Sequence, residues 1–118
     1  MTTLTLYGLK NCSTCVKALG WLTQNGHDAS LVDYRANPID PAVLEQWADQ
    51  LGGWEKLVNR ASMTWRNLPQ ERKSPDTARQ WLDLIAQFPA LVRRPVLLRP
   101  DGRVIAGFSE KKYLEFLA

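Results

Sequence analysis

The stretch YGLKNCSTCVKALGWLTQNG, residues 7–26, holds both cysteines of the chain, Cys12 and Cys15, at the point where a short apolar run gives way to a helical pattern. Just upstream, TLTLY (residues 3–7) alternates polar and apolar side chains, which predicts a β-strand, and Gly8 is placed to break it. From Cys15 onward the apolar residues fall at Cys15, Ala18, Leu19 and Leu22, one face of a helix, and Gly26 suits the position just past its end. ASLVDY (residues 29–34) reads as a second strand. A strand, a helix and a strand in so short a span predict a parallel β-α-β unit.

Outward from this unit the chain turns helical. Asp40 and Pro41 form an N-cap followed by a first-turn proline, and Leu44, Trp47, Ala48 and Leu51 make a stripe that ends at Gly52. GWEKLV (residues 53–58) suits a short helix, and NRASMTWRNLPQ (residues 59–70) a loop with one helical turn. In SPDTARQWLDLIAQF (residues 74–88), Ser74 or Asp76 is the expected cap, with Ala78, Trp81, Leu82, Ile85 and Phe88 facing inward and Pro89 as terminator. VLLR and RVIAGF follow as strands joined by a turn at Pro100-Asp101-Gly102, and Ser109 caps a last helix with Tyr113, Phe116 and Leu117 on its inner face. This order resembles a thioredoxin-like α/β fold. The expectation is one domain over residues 1–118, with a four-stranded mixed sheet and a helical insertion at about 40–90 between the β-α-β and β-β-α halves.

A chain of 118 residues is long enough to bury one core without a staple. Fifteen Lys/Arg against twelve Asp/Glu leave a net charge of +3, which favours small anions but falls short of the basic stripe of a nucleic-acid binder. No apolar run reaches the span of a bilayer, and the N-terminus lacks the pattern of a signal peptide. The expected compartment is the cytosol, and monomer is the default state. In that compartment lasting structural disulfides are rare, so a C-x-x-C pair points to redox or metal chemistry.

Zinc asks for four ligands, and this chain supplies two cysteines and one histidine, His27, at the far end of the helix; no metal is expected. Cys15 lies on the apolar stripe, as a buried hydrophobe would. Cys12 instead sits in a strand-to-helix loop, where the unpaired N–H groups and dipole of a helix N-terminus stabilise an anion. A thiolate is such an anion, so the Cys12 pKa is expected below that of a free thiol, with Lys10 adding positive charge. Cys15, one turn on, is within reach of a disulfide. The pair reads as redox-active, Cys12 as nucleophile and Cys15 as resolving thiol.

Two arginine sites remain: Arg60 in VNRASMTWR, and Arg93-Arg94 before Pro95 in LVRRPVLL, where the proline gives Arg94 an extended direction. A guanidinium suits carboxylates and oxyanions. Taken in order, LTLYGLKNCSTCVKA, VNRA, RRPV and GFSEKKYLEFL resemble the ArsC/Spx/YffB family of thioredoxin-fold proteins. WEKLVNR and RPVLLRPDGRVIAGFS are most similar to the YffB type, described as glutathione-dependent thiol reductases.

The resemblance implies Cys12 as the nucleophile, Arg60 and Arg94 lining the site, and Pro95 as the cis proline. It implies glutathione as co-substrate, with no bound cofactor: Arg60, Arg94 and Lys10 would hold it or favour the thiolate, and the backbone beside Pro95 would pair with its peptide. Two other activities occur among such proteins. Spx-type regulators use a cysteine pair as a redox switch and bind RNA polymerase. Arsenate reductases carry a third arginine where this chain has Gly107 and a histidine where it has Gly8, and both differences tell against arsenate. Trp21, Trp47, Trp54 and Trp81 fall at amphipathic positions and are expected to pack, whereas Trp65, near Arg60, is a candidate wall of the site. His27 and the Lys111-Lys112 pair carry no expected role.

Overall fold

The computed structural model describes residues 3–118. Strand β1 (Leu4–Gly8) is followed by helix α1 (Ser13–Gln24) and strand β2 (Ala29–Asp33). Helices α2 (Pro41–Leu51), α3 (Trp54–Leu57), α4 (Met63–Arg66) and α5 (Ala78–Gln87) come next, with short 3₁₀ turns at Gln70–Arg72 and Pro89–Leu91. Strands β3 (Val96–Leu98) and β4 (Val104–Ala106) and helix α6 (Glu110–Leu117) complete the chain. The chain divides into two compact units: one is formed by residues up to Asn37 and from Arg94 onward, the other by Pro38–Arg93.

The first unit contains the whole sheet, in the order β2-β1-β3-β4. β1 pairs in parallel with β2 and antiparallel with β3, and β3 pairs antiparallel with β4. This is the four-stranded mixed sheet of a thioredoxin-like fold. Alternation in β1 sends Leu4 and Leu6 to the buried face, where Ala18 and Leu22 of α1, Leu97 of β3 and Tyr113 of α6 meet them. Trp21 packs edge-on against Phe108 and Tyr113 and stacks with His27, and its indole N–H donates to Glu110 Oε1 (3.1 Å). At the hairpin Arg99 N–H donates to the Arg103 carbonyl (2.8 Å), and Ser109 Oγ caps α6 by accepting from Lys112 N–H.

The second unit is helical. Asp40 caps α2 by accepting from Ala42 N–H (2.8 Å), and Leu44, Trp47 and Ala48 are buried. NRASMTWRNLPQ does hold one helical turn, α4, capped by Ser62. The cap of α5 differs from expectation: it is Thr77 rather than Ser74 or Asp76. Thr77 Oγ1 accepts from Gln80 N–H, and the Gln80 side chain accepts in return from Thr77 N–H, a capping box that occupies both ends of a T-x-x-Q pattern. The buried face of α5 is Trp81, Leu84 and Ile85, with Leu82 only half-buried. Trp81 stacks with both Trp54 and Trp65, with ring centroids 6.2 and 5.9 Å away.

β1 is also displaced by one residue from its expected limits. Gly8, taken as the residue that ends the strand, is its last member and pairs in register with Asp33. Among the described residues no helix is long and apolar enough to cross a membrane.

Candidate active site

Cys12 reaches its position through a tight turn in which its N–H donates to the Leu9 carbonyl (3.1 Å). It is the N-cap of α1, in extended conformation, and its carbonyl accepts the first helical bond from Val16 N–H (3.0 Å). The sulfur closes no full capping hydrogen bond, but the N–H groups of Cys15 and Thr14 face it. Burial works against ionisation of Cys12. The N–H and thiol of Cys15, the N–H of Thr14 and the charge of Arg94 outweigh it, and the pKa falls below the ordinary thiol value.

Cys15 behaves in the opposite way. It is fully buried, and burial pushes its thiol up to about 11; the Leu9 N–H works against the rise, and the neighbouring Cys12 sulfur adds to it. One thiol is thus partly exposed and inclined to ionise, while its partner is sealed and held protonated.

Arg94 precedes Pro95 across a cis peptide bond, and the Pro95 carbonyl accepts from Gly107 N–H (2.8 Å). Gly107 has φ +84°, a conformation that penalises a side chain, so an arginine would be strained there. Beside Cys12 opens a cleft of about 490 Å³, lined by residues 9–14 together with Asp33, Arg35 and Arg94. Lys10 lines the same cleft, where its charge acts on the Asp33 carboxylate, and the charge of Arg94 acts on Cys12. Backbone N–H groups of Arg35 (2.9 Å) and Lys10 (3.4 Å) donate to Asp33. The Arg35 N–H bond leads, against the effect of burial, in holding that carboxyl below its usual range.

Of the residues singled out from sequence, Lys10, Cys12, Cys15, Arg94 and Pro95 come together in the first unit. Arg60 belongs to the second unit, where its guanidinium lies over the Trp65 ring, 5.8 Å from the centroid. Trp65 is itself buried.

Three residues of this region escaped the sequence reading: Asp33, Tyr34 and Arg35. Burial pushes the Tyr34 phenol up and keeps it neutral, within electrostatic reach of Arg94 and both sulfurs. The parallel pairing of β1 and β2 was predicted, but its consequence for the loop after β2 was not drawn. That pairing brings the loops after both strands to one edge of the sheet, where α/β folds bind their ligands.

The lowering of the Cys12 pKa is open to a direct test. Followed by ultraviolet thiolate absorbance, one thiol should ionise below the ordinary range near about pH 8.5, while the other stays protonated up to the region of about 11. Arg94→Gln should move the first titration upward and leave the order of the two unchanged. A depressed pKa also means that folding favours the thiolate, a contribution present above the unfolded-state pKa and lost as pH falls through the folded one. Two coincident titrations would contradict the assignment.

These features define a thioredoxin-like redox protein with its cysteine pair at the head of the first helix. The ArsC family profile matches residues 7–116, and the chain belongs to the ArsC family. An uncharacterized protein of Haemophilus influenzae is 42% identical over 93% of this chain and 95% of its own length. A solved structure of a YffB protein superposes with a TM-score of 0.87 at 34% identity, covering 98% of this chain and 99% of its own. The global transcriptional regulator Spx of Listeria innocua is 28% identical over 97% of this chain and 86% of its own length.

Proposed function

We propose that this protein is a thiol–disulfide reductase that uses glutathione as co-substrate, with no bound cofactor. The reading rests on the division of labour between the two thiols: a partly exposed sulfur biased toward thiolate, one helical turn from a buried sulfur biased toward thiol. The Cys12 thiolate attacks a disulfide R–S–S–R′, forms a Cys12–S–S–R bond and expels R′S⁻, which takes a proton. Cys15 then attacks the Cys12 sulfur, the Cys12–Cys15 disulfide forms, and RS⁻ leaves with the proton that Cys15 gave up. Two glutathione molecules reduce the pair and depart as glutathione disulfide. Buried, Cys15 is unavailable to bulky disulfides until the first bond has formed, which orders the two steps.

Arg94 is assigned the charge that favours the Cys12 thiolate and receives an anionic ligand in the cleft, with Lys10 on the same rim. The backbone beside Pro95 is assigned to the glutathione peptide. The same reading takes the chain as a single domain that carries a helical insertion at about residues 40–90.

The test is turnover of a small mixed disulfide by the purified protein with glutathione, with arsenate in a parallel lane. Turnover of the disulfide and not of arsenate is expected, since the Gly107 backbone disfavours the third arginine. No turnover of either would sink the reductase reading. The likeness to Spx supports a second reading, a redox-switched regulator that engages RNA polymerase. Its mark would be binding of polymerase by only one of the oxidised and reduced forms.

A further inference from the structure

We propose that Gly8 is a positioning residue for the resolving thiol: the space left by its missing side chain is where Cys15 Sγ sits. A Cβ placed on Gly8 would fall 2.5 Å from Cys15 Sγ and 3.3 Å from Cys15 Cβ. Its next neighbour, Leu31 Cδ1, is at 3.6 Å, an ordinary contact, so the conflict is with the cysteine alone. Gly8 does not have the positive φ that other glycines of the chain adopt, so volume, and not backbone conformation, excludes a side chain here.

Both walls of this space are held by packing and pairing. Gly8 is fixed on one side by its register with Asp33 and by its carbonyl, which accepts from Tyr34 N–H (3.1 Å). On the other side α1 is pinned through Ala18 and Leu22, both fully buried against Leu4 and Leu6 of β1. Interiors packed to this density transmit a misfit to whatever can rotate. Here that is the Cys15 side chain, which would have to turn its sulfur out of the place from which it meets Cys12. The proposal builds on the reductase reading, in which Cys15 resolves the mixed disulfide, but its steric core is independent of glutathione.

Gly8→Ala separates the two thiols' roles. An aromatic disulfide, dithiobis(nitrobenzoic acid), reports each step. Attack by Cys12 releases one thionitrobenzoate and leaves a mixed disulfide; attack by Cys15 on the Cys12 sulfur forms the pair and releases the second. With Ala at position 8, the first release should stay within about twofold of wild type and the second should slow by about tenfold or more. A general loss of structure would slow neither selectively.

The second measurement is urea denaturation in both cysteine backgrounds. Gly8→Ala should lower the midpoint when Cys15 is present, and Gly8→Ala/Cys15→Ala should recover most of that loss relative to Cys15→Ala. If Gly8→Ala fails to fold while the double variant folds, the shared space is confirmed by the same logic. Equal losses in both backgrounds, a double variant that also fails to fold, or an unchanged second release would overturn the proposal. Absence of glutathione turnover with the coupling intact would overturn only the reductase reading.

Discussion

Cys12→Ser is expected to reduce glutathione-dependent disulfide turnover to the uncatalysed background, while Cys15→Ser keeps the first attack and stalls after it. A serine hydroxyl at the head of α1 remains protonated near neutral pH, and the N–H groups of Thr14 and Cys15 and the charge of Arg94 then have no thiolate to stabilise. In Cys15→Ser the nucleophile is intact, but no buried sulfur follows it, so a mixed disulfide on Cys12 should accumulate and be visible by mass spectrometry as one added thiol per chain. Turnover surviving in Cys12→Ser would remove Cys12 from the mechanism. A Cys15→Ser variant that turns over without accumulating adduct would show that glutathione resolves Cys12 directly and leave Cys15 without the assigned role.

Tyr113→Ala is expected to cost about 3–5 kcal/mol of stability, a large part of the total for a domain of this size. Tyr113 is fully buried, lies edge-on to Phe108 (5.0 Å) and Trp21 (5.8 Å), and donates its hydroxyl to the Gly107 carbonyl (3.0 Å). Gly107 N–H in turn donates to Pro95 O, so this tyrosine supports the segment that carries Arg94. Tyr113→Phe keeps the ring and loses one hydrogen bond, for about 1 kcal/mol. Urea denaturation of the two variants separates packing from hydrogen bonding; similar losses in both would show that the hydroxyl carries more than the ring.

The elements of the first unit were readable because each announces itself within a few residues. Alternation in β1 and the Cys15, Ala18, Leu22 stripe of α1 encode which face is buried, and Ser109 stands at the start of the helix it caps, as Asp40 does in the second unit. The α5 cap was missed in favour of Ser74 or Asp76 although Thr77 and Gln80 were in view. Several cap residues compete there, and only the bonds that form decide among them. The cis bond at Pro95 came from family resemblance, not from local pattern.

The site divides along the same line. By itself the sequence determined that a thiol would stand at a helix N-terminus with a second thiol one turn away, because a strand, a turn and a helical stripe fix that geometry locally. Lys10, two residues from Cys12, looked like the activating charge. The tertiary structure adds Arg94, which the chain returns to the site from far along the sequence, and sets the Lys10 charge beside Asp33 as well. Gly8 likewise read as a strand terminator, yet its identity answers to a sulfur on the next element. Periodicity and capping act between neighbours in sequence; charge and excluded volume act through space, and only the folded chain sets those distances.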